Sequence, residues 1–186
     1  MPRPLLPFLL LPLFAAACQQ ASFGEGAPAP PEVRVLAEHA PANLAVLLPV
    51  VEATATLVPV EELRAEAHHA LIERGFAPLA ADYVDRKAGV EAVPAAAVRL
   101  PEAGVLALRV ERWNDVRAES QGVLSARILG ELYDENGRLA AKLGVDRTFR
   151  LGPGELAALP AGQRRSALFG RLFAELFAPL PSPPPL

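Results

Sequence analysis

The sequence contains one cysteine, Cys18, so no disulfide closes within the chain and the fold must hold by its core and its hydrogen bonds. It also lacks a basic excess: 18 Lys and Arg stand against 21 Asp and Glu, a formal net charge of -3. Phosphate backbones are bound by basic surfaces, so this balance argues against nucleic acid as a partner. Past Phe14 no uninterrupted apolar stretch approaches the roughly 20 residues that a membrane-spanning helix needs. Neither G-x-G-x-x-G, nor a glycine loop followed by Lys-Ser/Thr, nor a G-x-S-x-G elbow occurs. No cofactor is expected.

What is present begins at the N-terminus. Arg3, the apolar run Leu5 to Phe14 and the small residues Ala15-Ala16-Ala17 have the layout of a secretory signal peptide. The small-small-small-Cys ending at Cys18 resembles the lipobox of bacterial lipoproteins, in which the thiol is acylated and the cysteine becomes the new N-terminus. An ordinary signal peptide whose cleavage point abuts a cysteine is the other reading, and Ala15 stands where such boxes more often carry leucine. Removing residues 1–17 leaves 17 basic and 21 acidic side chains, a net charge of -4. Consumption of Cys18 in acylation would also account for a lone cysteine in an oxidising compartment.

Composition divides the rest into three parts. Residues 18–42 read as the acylated cysteine and a flexible linker rich in Ala, Pro, Gly and Ser, with Val33-Arg34-Val35 as an extended segment near its end. A linker of this kind spans about 25–30 Å as a coil and at most about 80 Å stretched. Residues 43–178 read as a single α/β domain, and 52% hydrophobic residues suffice for a real core. Residues 179–186 form a proline-rich tail that cannot be helical, either a frayed end or a segment for a proline-binding partner.

Within the domain the periodicities are legible. Leu44 to Leu48 is continuously apolar, which suggests a strand buried on both faces, ended by Pro49. From Pro59 to Arg74, Leu63, Ala67, Ala70 and Leu71 recur at helical spacing, and Gly75 supplies the stop. Phe76 to Leu79 predicts a second short strand at an edge, because Pro78 cannot donate to a ladder. Weaker helical stretches follow over Ala81–Val90 and between Pro94 and Pro101. The period then changes to two: Leu106, Leu108 and Val110 face one way while Ala107, Arg109 and Glu111 face the other. Leu124, Ala126, Ile128, Gly130 and Leu132 form the next inward set, and Asn136-Gly137 predicts a two-residue hairpin turn. That turn pairs Leu132 with Ala141, Ile128 with Val145 and Leu124 with Phe149, all on one face. Last, Leu168, Phe169, Leu172, Phe173, Leu176 and Phe177 make a wide apolar stripe on a helix over Gln163–Phe177. The expected fold is α/β: a mixed sheet with an initial strand-helix-strand crossover, an antiparallel hairpin in the second half, and a C-terminal amphipathic helix packed on the sheet.

Reactive constellations are sparse. His68 and His69 point about 100° apart on their helix and cannot chelate one metal together. His39 falls in the linker, and Asp82 and Asp85 sit beside Arg86 and Lys87 as a charged helix end. Ser120, Ser125 and Ser166 have no base beside them in sequence, and Gly152 and Gly154 flank Pro153 in a turn. No catalytic or metal-binding residue is assigned. Trp113 is either an anchor for a partner or a rim residue of the core.

Asn43 to Pro49 (NLAVLLP), the helix end Leu71-Ile72-Glu73-Arg74-Gly75-Phe76, Ala103 to Trp113 (AGVLALRVERW) and Leu132-Tyr133-Asp134 together resemble a family of bacterial lipoproteins named after a meningococcal antigen. The resemblance covers most of residues 33–151, with Leu48 where a first proline is expected. It implies an auxiliary component of ABC-type transport whose fold is similar to the TolB N-terminal domain and to the periplasmic part of curli secretion lipoproteins. No catalytic residues come with that family. The expected function is therefore a non-enzymatic, lipid-anchored accessory protein, a binding or assembly module for an envelope transport or secretion complex. Its partners would be the membrane, through the N-terminal lipid, and proteins of that complex. Gln19 after Cys18, where an aspartate would signal inner-membrane retention, implies by the same resemblance the periplasmic leaflet of the outer membrane. The alternative is a carrier of an apolar ligand, such as a lipid or acyl chain, held between the sheet and the C-terminal helix.

Overall fold

The computed structural model describes residues 30–55, 57–89 and 93–183. The strands are β1 (Arg34–Val35), β2 (Asn43–Val46), β3 (Val50–Val51), β4 (Ala77–Pro78), β5 (Gly104–Asn114), β6 (Val123–Tyr133) and β7 (Leu139–Arg150). The helices are α1 (Val60–Glu73), α2 (Ala81–Ala88), α3 (Val93–Arg99), α4 (Ala118–Gln121), α5 (Pro153–Ala158) and α6 (Ala161–Phe177). All seven strands form one sheet in the order β1-β7-β6-β5-β2-β4, with β3 continuing along β5 beyond the end of β2. β2 and β4, joined across α1, are parallel, and β5, β6 and β7 are antiparallel. The expected α/β class, crossover and hairpin are all present.

β2 is buried on both faces. Leu44 and Val46 enter the main core, while Ala45 enters a second, smaller core with Val84, Ala88, Leu100 and Val105. That division explains the unbroken apolar run, since a strand with helices on both sides has no solvent face. Its outer neighbour β4 ends the sheet at Pro78, as the missing N–H requires. Past Pro49 the chain returns to β5 as β3, a strand that the proline made invisible to pattern reading. The extended segment expected at Val33–Val35 is β1, paired with Lys142 and Ala141 at the opposite edge.

The long hairpin keeps all three expected pairs, but its turn differs from the two-residue one predicted. Asp134 N–H donates to Arg138 O at 2.8 Å, closing a loop of Glu135, Asn136 and Gly137. The Asp134 side chain accepts the N–H groups of Asn136 and Arg138 at 2.9 and 2.8 Å, and Gly137 takes the left-handed position at φ 73°. A longer loop alone would shift the register by one and turn every side chain over. A bulge after Leu132, where Ala140 is the extra residue, cancels that shift.

One face of β5, β6 and β7 is covered by α6, with α1 alongside. All six residues of the α6 stripe are at most 1% exposed. These side chains belong to the main core together with Leu124, Ile128 and Val145 of the sheet. Phe173 and Phe177 stack at 5.5 Å, and Phe169 meets Trp113 edge to face at 5.3 Å. Each such side chain contributes about 1.5–3 kcal/mol by leaving water. Arg164 fixes the helix start, donating to Leu156 O, Leu159 O and Glu119 O at 2.7 to 3.0 Å and so satisfying carbonyls at the ends of α5 and α4.

The exception among the buried side chains is Arg64, 2% exposed on α1. Its Nε donates to Val46 O at 2.9 Å, one Nη to Ala81 O at 3.2 Å, and the other to Asp85 at 2.8 Å. Three elements, β2, α1 and α2, are thereby joined by one guanidinium.

Two stability measurements follow. Phe173→Ala is expected to cost about 3–5 kcal/mol in denaturant unfolding, the range for deleting a fully buried ring. A change near zero would remove α6 from the core. Arg64→Ala strips donors from Val46 O and Ala81 O and is expected to cost about 2–4 kcal/mol, most of which Arg64→Lys fails to recover because a lysine cannot reach three acceptors at fixed angles.

Candidate functional site

Among the described residues, helices cover the second face of the sheet only near β2, where α2 and α3 pack on Ala45, Ala103 and Val105. Over β5, β6 and β7 that face carries alternate polar residues. At its centre lies Arg127, whose Nε donates to Glu111 Oε2 at 2.6 Å and whose Nη1 donates to Asp146 Oδ2 at 2.8 Å. Asp146 also accepts Arg112, and Arg109 lies 3.7 Å from Glu52. The two carboxylates hold the Arg127 guanidinium more firmly protonated than usual, hydrogen bonding to Glu111 being the larger cause.

The register dictates this arrangement. The pairing that sets Ile128 against Val145 also sets Arg127 against Asp146. Glu111 joins them through a bulge between Val110 and Arg112, which also turns Trp113 rather than Arg112 toward the helices. Beside the network a cleft of about 360 Å³ is lined by Val50, Glu52, Ala107, Leu108, Arg109, Leu129 and Glu131. At its far side Tyr133 donates to Glu131 at 2.8 Å, and burial first, then that bond, pushes its phenol up to about 12. The segment Pro30 to Glu32 crosses the face toward β1. Pro31 sits on Gly144, where an added Cβ would lie 2.3 Å from Pro31 Cβ, so glycine makes the seat for the strap.

Chemically this surface is suited to binding. Glu111 and Asp146 are both engaged by Arg127, which ties up lone pairs that a general base would use. Leu129, Val50 and Ala107 supply apolar contact between the charges.

Residues singled out in sequence are placed as follows. Cys18 lies outside the described residues. Trp113 is 6% exposed and packs on Phe169, so its ring is part of the core. Asp82 pairs with Arg86 at 2.8 Å and Asp85 with Arg64, so the two carboxylates serve separate ion pairs. Ser125 bonds Thr148 at 2.7 Å and Ser166 donates to Glu66 at 2.6 Å. The turn at Gly152 opens α5, with Pro153 at its first position and Glu155 accepting Gly152 N–H at 2.7 Å. Among the described residues no group of three or more His, Cys, Asp or Glu side chains converges as a metal site. Nor is any helix among them long and apolar enough to cross a membrane. Arg64 and the Arg127 network escaped sequence reading. Arg127 and Asp146 were nonetheless implied by the hairpin register, whereas Glu111 depends on a bulge with no sequence signal.

No family model matches the chain, and no curated protein matches it. Similar solved structures include lipoprotein GNA1162 from Neisseria meningitidis, 18% identical, covering 71% of this chain and 96% of that one, with a TM-score of 0.46. A PelC dodecamer from Paraburkholderia phytofirmans is 17% identical, covers 80% and 94%, and has a TM-score of 0.44. A minor lipoprotein from Acinetobacter baumannii is 14% identical, covers 77% and 97%, and has a TM-score of 0.34.

His68 gives the pH dependence. Its Nε2 is buried without a hydrogen-bond partner, and burial, then the nearby Arg64 charge, lowers its pKa below the ordinary histidine value. The unfolded chain then takes up the proton before the folded one does. The stabilisation is complete above the ordinary histidine pKa and is lost as pH falls through the lowered value. Melting temperature is therefore expected to drop across that window in the native protein, with a shallower drop in His68→Phe; equal slopes would mean that His68 stays accessible to protons in the fold.

Proposed function

We propose that this chain is a lipid-anchored accessory protein of a bacterial envelope, a non-enzymatic binding module serving a transport or secretion complex from the periplasmic side of the outer membrane. The observation that carries the reading is the run of Arg3, Leu5 to Phe14, Ala15-Ala16-Ala17 and Cys18, which is the arrangement that acylation at a cysteine requires. The way the chain enters the fold supports it. Pro31 seated on Gly144 leaves only the residues between Cys18 and Pro30 as tether, a reach of at most about 40 Å when fully extended. An anchored domain would thus stay close to its membrane.

A binding role is supported by the uncovered sheet face, where paired charges and apolar side chains alternate around an open cleft. Such a surface suits a protein partner with its own mixed charges, because complementary potentials select the partner and set the docking register. The resemblance of Asn43 to Pro49, Ala103 to Trp113 and Leu132 to Asp134 to auxiliary transport lipoproteins supports that kind of complex.

Fractionation of cells expressing Cys18→Ala tests the anchor. Three acyl chains at about 0.8 kcal/mol per buried CH₂ make release of the native protein negligible. The mutant is expected to leave the membrane pellet while its domain melts at the native temperature, since Cys18 precedes the first strand by a whole linker. Retention of the mutant in the pellet as firmly as the native chain would end the lipoprotein reading.

A further inference from the structure

Among the described residues, both lateral edges of the sheet are open over part of their length, and both present apolar side chains to solvent. At one edge Val33, Val35 and Leu36 are 44%, 43% and 53% exposed along β1. At the other, β4 covers only the Asn43–Leu44 end of β2. Beyond it β3 pairs with β5 on one side and, among the described residues, with no strand on the other; Val50 and Val51 there are 62% and 37% exposed. Open edges of this kind are templates for strand pairing.

The backbone determines which groups each edge offers. Leu36 N–H donates to Ala140 O at 2.8 Å, so in antiparallel alternation it is Val35 whose N–H and C=O turn away from β7. Glu52 N–H donates to Val110 O at 3.0 Å, so Val51 likewise turns its own groups outward. β1 is antiparallel to β7, and β3 is parallel to β5, which points the same way as β7. A second copy placed beside the first in the same orientation therefore brings its β1 antiparallel to β3.

Exchange of N–H···O bonds between Val35 and Val51 then sets the register. It opposes Arg34 to Glu52 and Leu36 to Val50. The faces agree: Arg34 pairs with Lys142 on the charged face, where Glu52 and Val50 line the cleft beside Arg109. Val35 and Val51 pair with Ala141 and Val110, whose side chains belong to the core on the helix-covered face. One opposite-charge pair and two apolar pairs arise from a register chosen by the backbone alone, and cross-strand pairs of these kinds are the stabilising ones.

We infer that the chain self-associates head to tail, β1 of one copy adding to β3 of the next. The contact is heterologous, so it propagates until a ring closes or a filament forms. Each contact is small and weak by itself, and closure of a ring supplies the rest. The inference stands independently of the lipid anchor.

Cysteine pairs test it in the full chain carrying Cys18→Ala, which leaves no competing thiol. Arg34 and Glu52 would be a non-hydrogen-bonded cross-strand pair, with Cα atoms about 4.5 Å apart, within disulfide reach. Arg34→Cys with Glu52→Cys is expected to give an oxidised ladder of dimers, trimers and larger species. Arg34→Cys with Val51→Cys, whose thiols lie on opposite faces, is expected to give none, and neither is either single variant. Absence of the in-register ladder, an equal ladder from the out-of-register pair, or strong dimers from Arg34→Cys alone would overturn the head-to-tail register. By light scattering, Arg34→Glu is expected to weaken association about fivefold to tenfold, and Arg34→Glu with Glu52→Arg to restore it. Circular dichroism confirms folding of each variant, and a reversed pair that stays as weak as the single change would also overturn the assignment.

Discussion

The constraint on which this structure rests is that β5, β6 and β7 expose one continuous apolar face that must be covered. Leu106, Leu108, Ile128, Leu132, Leu143 and Val145 all point to it, and no side chain there can meet its own needs in water. α6 is the answer, arriving last in the chain and burying six large side chains at once. α1 fills the remaining width beside it. The rest follows from where those two helices lie: Arg164 ties the short helices to α6, and Arg64 fastens α1 to the end of β2 and to α2.

Covering one face so completely leaves little helix for the other. α2 and α3 are short and reach only the second core around Ala45 and Val105, so the opposite face of the long strands must be compatible with solvent. It meets that requirement by cross-strand charge. Arg127 between Glu111 and Asp146 makes a ladder in which every charge has a partner of opposite sign. In such part-buried pairs the cost of desolvation offsets much of the attraction, so they contribute little net stability. They leave a defined pattern of charge beside the cleft.

Irregularities in the strands decide where the functional features fall. The bulge at Glu111 adds a carboxylate to the network and turns Trp113 into the core. The bulge at Ala140 restores the hairpin register and gives both Leu36 and Ala37 a carbonyl to bond, which sets β1 on the edge. Pro49 separates β2 from β3, so that β4 covers only part of β2 and, among the described residues, β3 is left as an open edge. Each bulge is one residue long, and the break between β2 and β3 spans three, Leu47 to Pro49. Each moves a whole strand's worth of chemistry.

Local pattern was sufficient for the elements and for much of their pairing. Alternation along Leu124 to Leu132 and Leu139 to Phe149 is a period that only a half-buried strand satisfies, and the α6 stripe has the period of a helix, so both were determined by the order of residues alone. The hairpin register was legible too, because a slip of one would put every leucine in water. Tertiary structure alone decided the rest. That Arg64 is buried depends on carbonyls 18 and 17 residues away and on a carboxylate 21 residues away, none of which marks the sequence near it. Trp113 could have faced either way until a bulge set its parity. The sheet's open edges exist only because strands far apart in sequence end at different heights, and the height at which a strand ends is fixed by its neighbours.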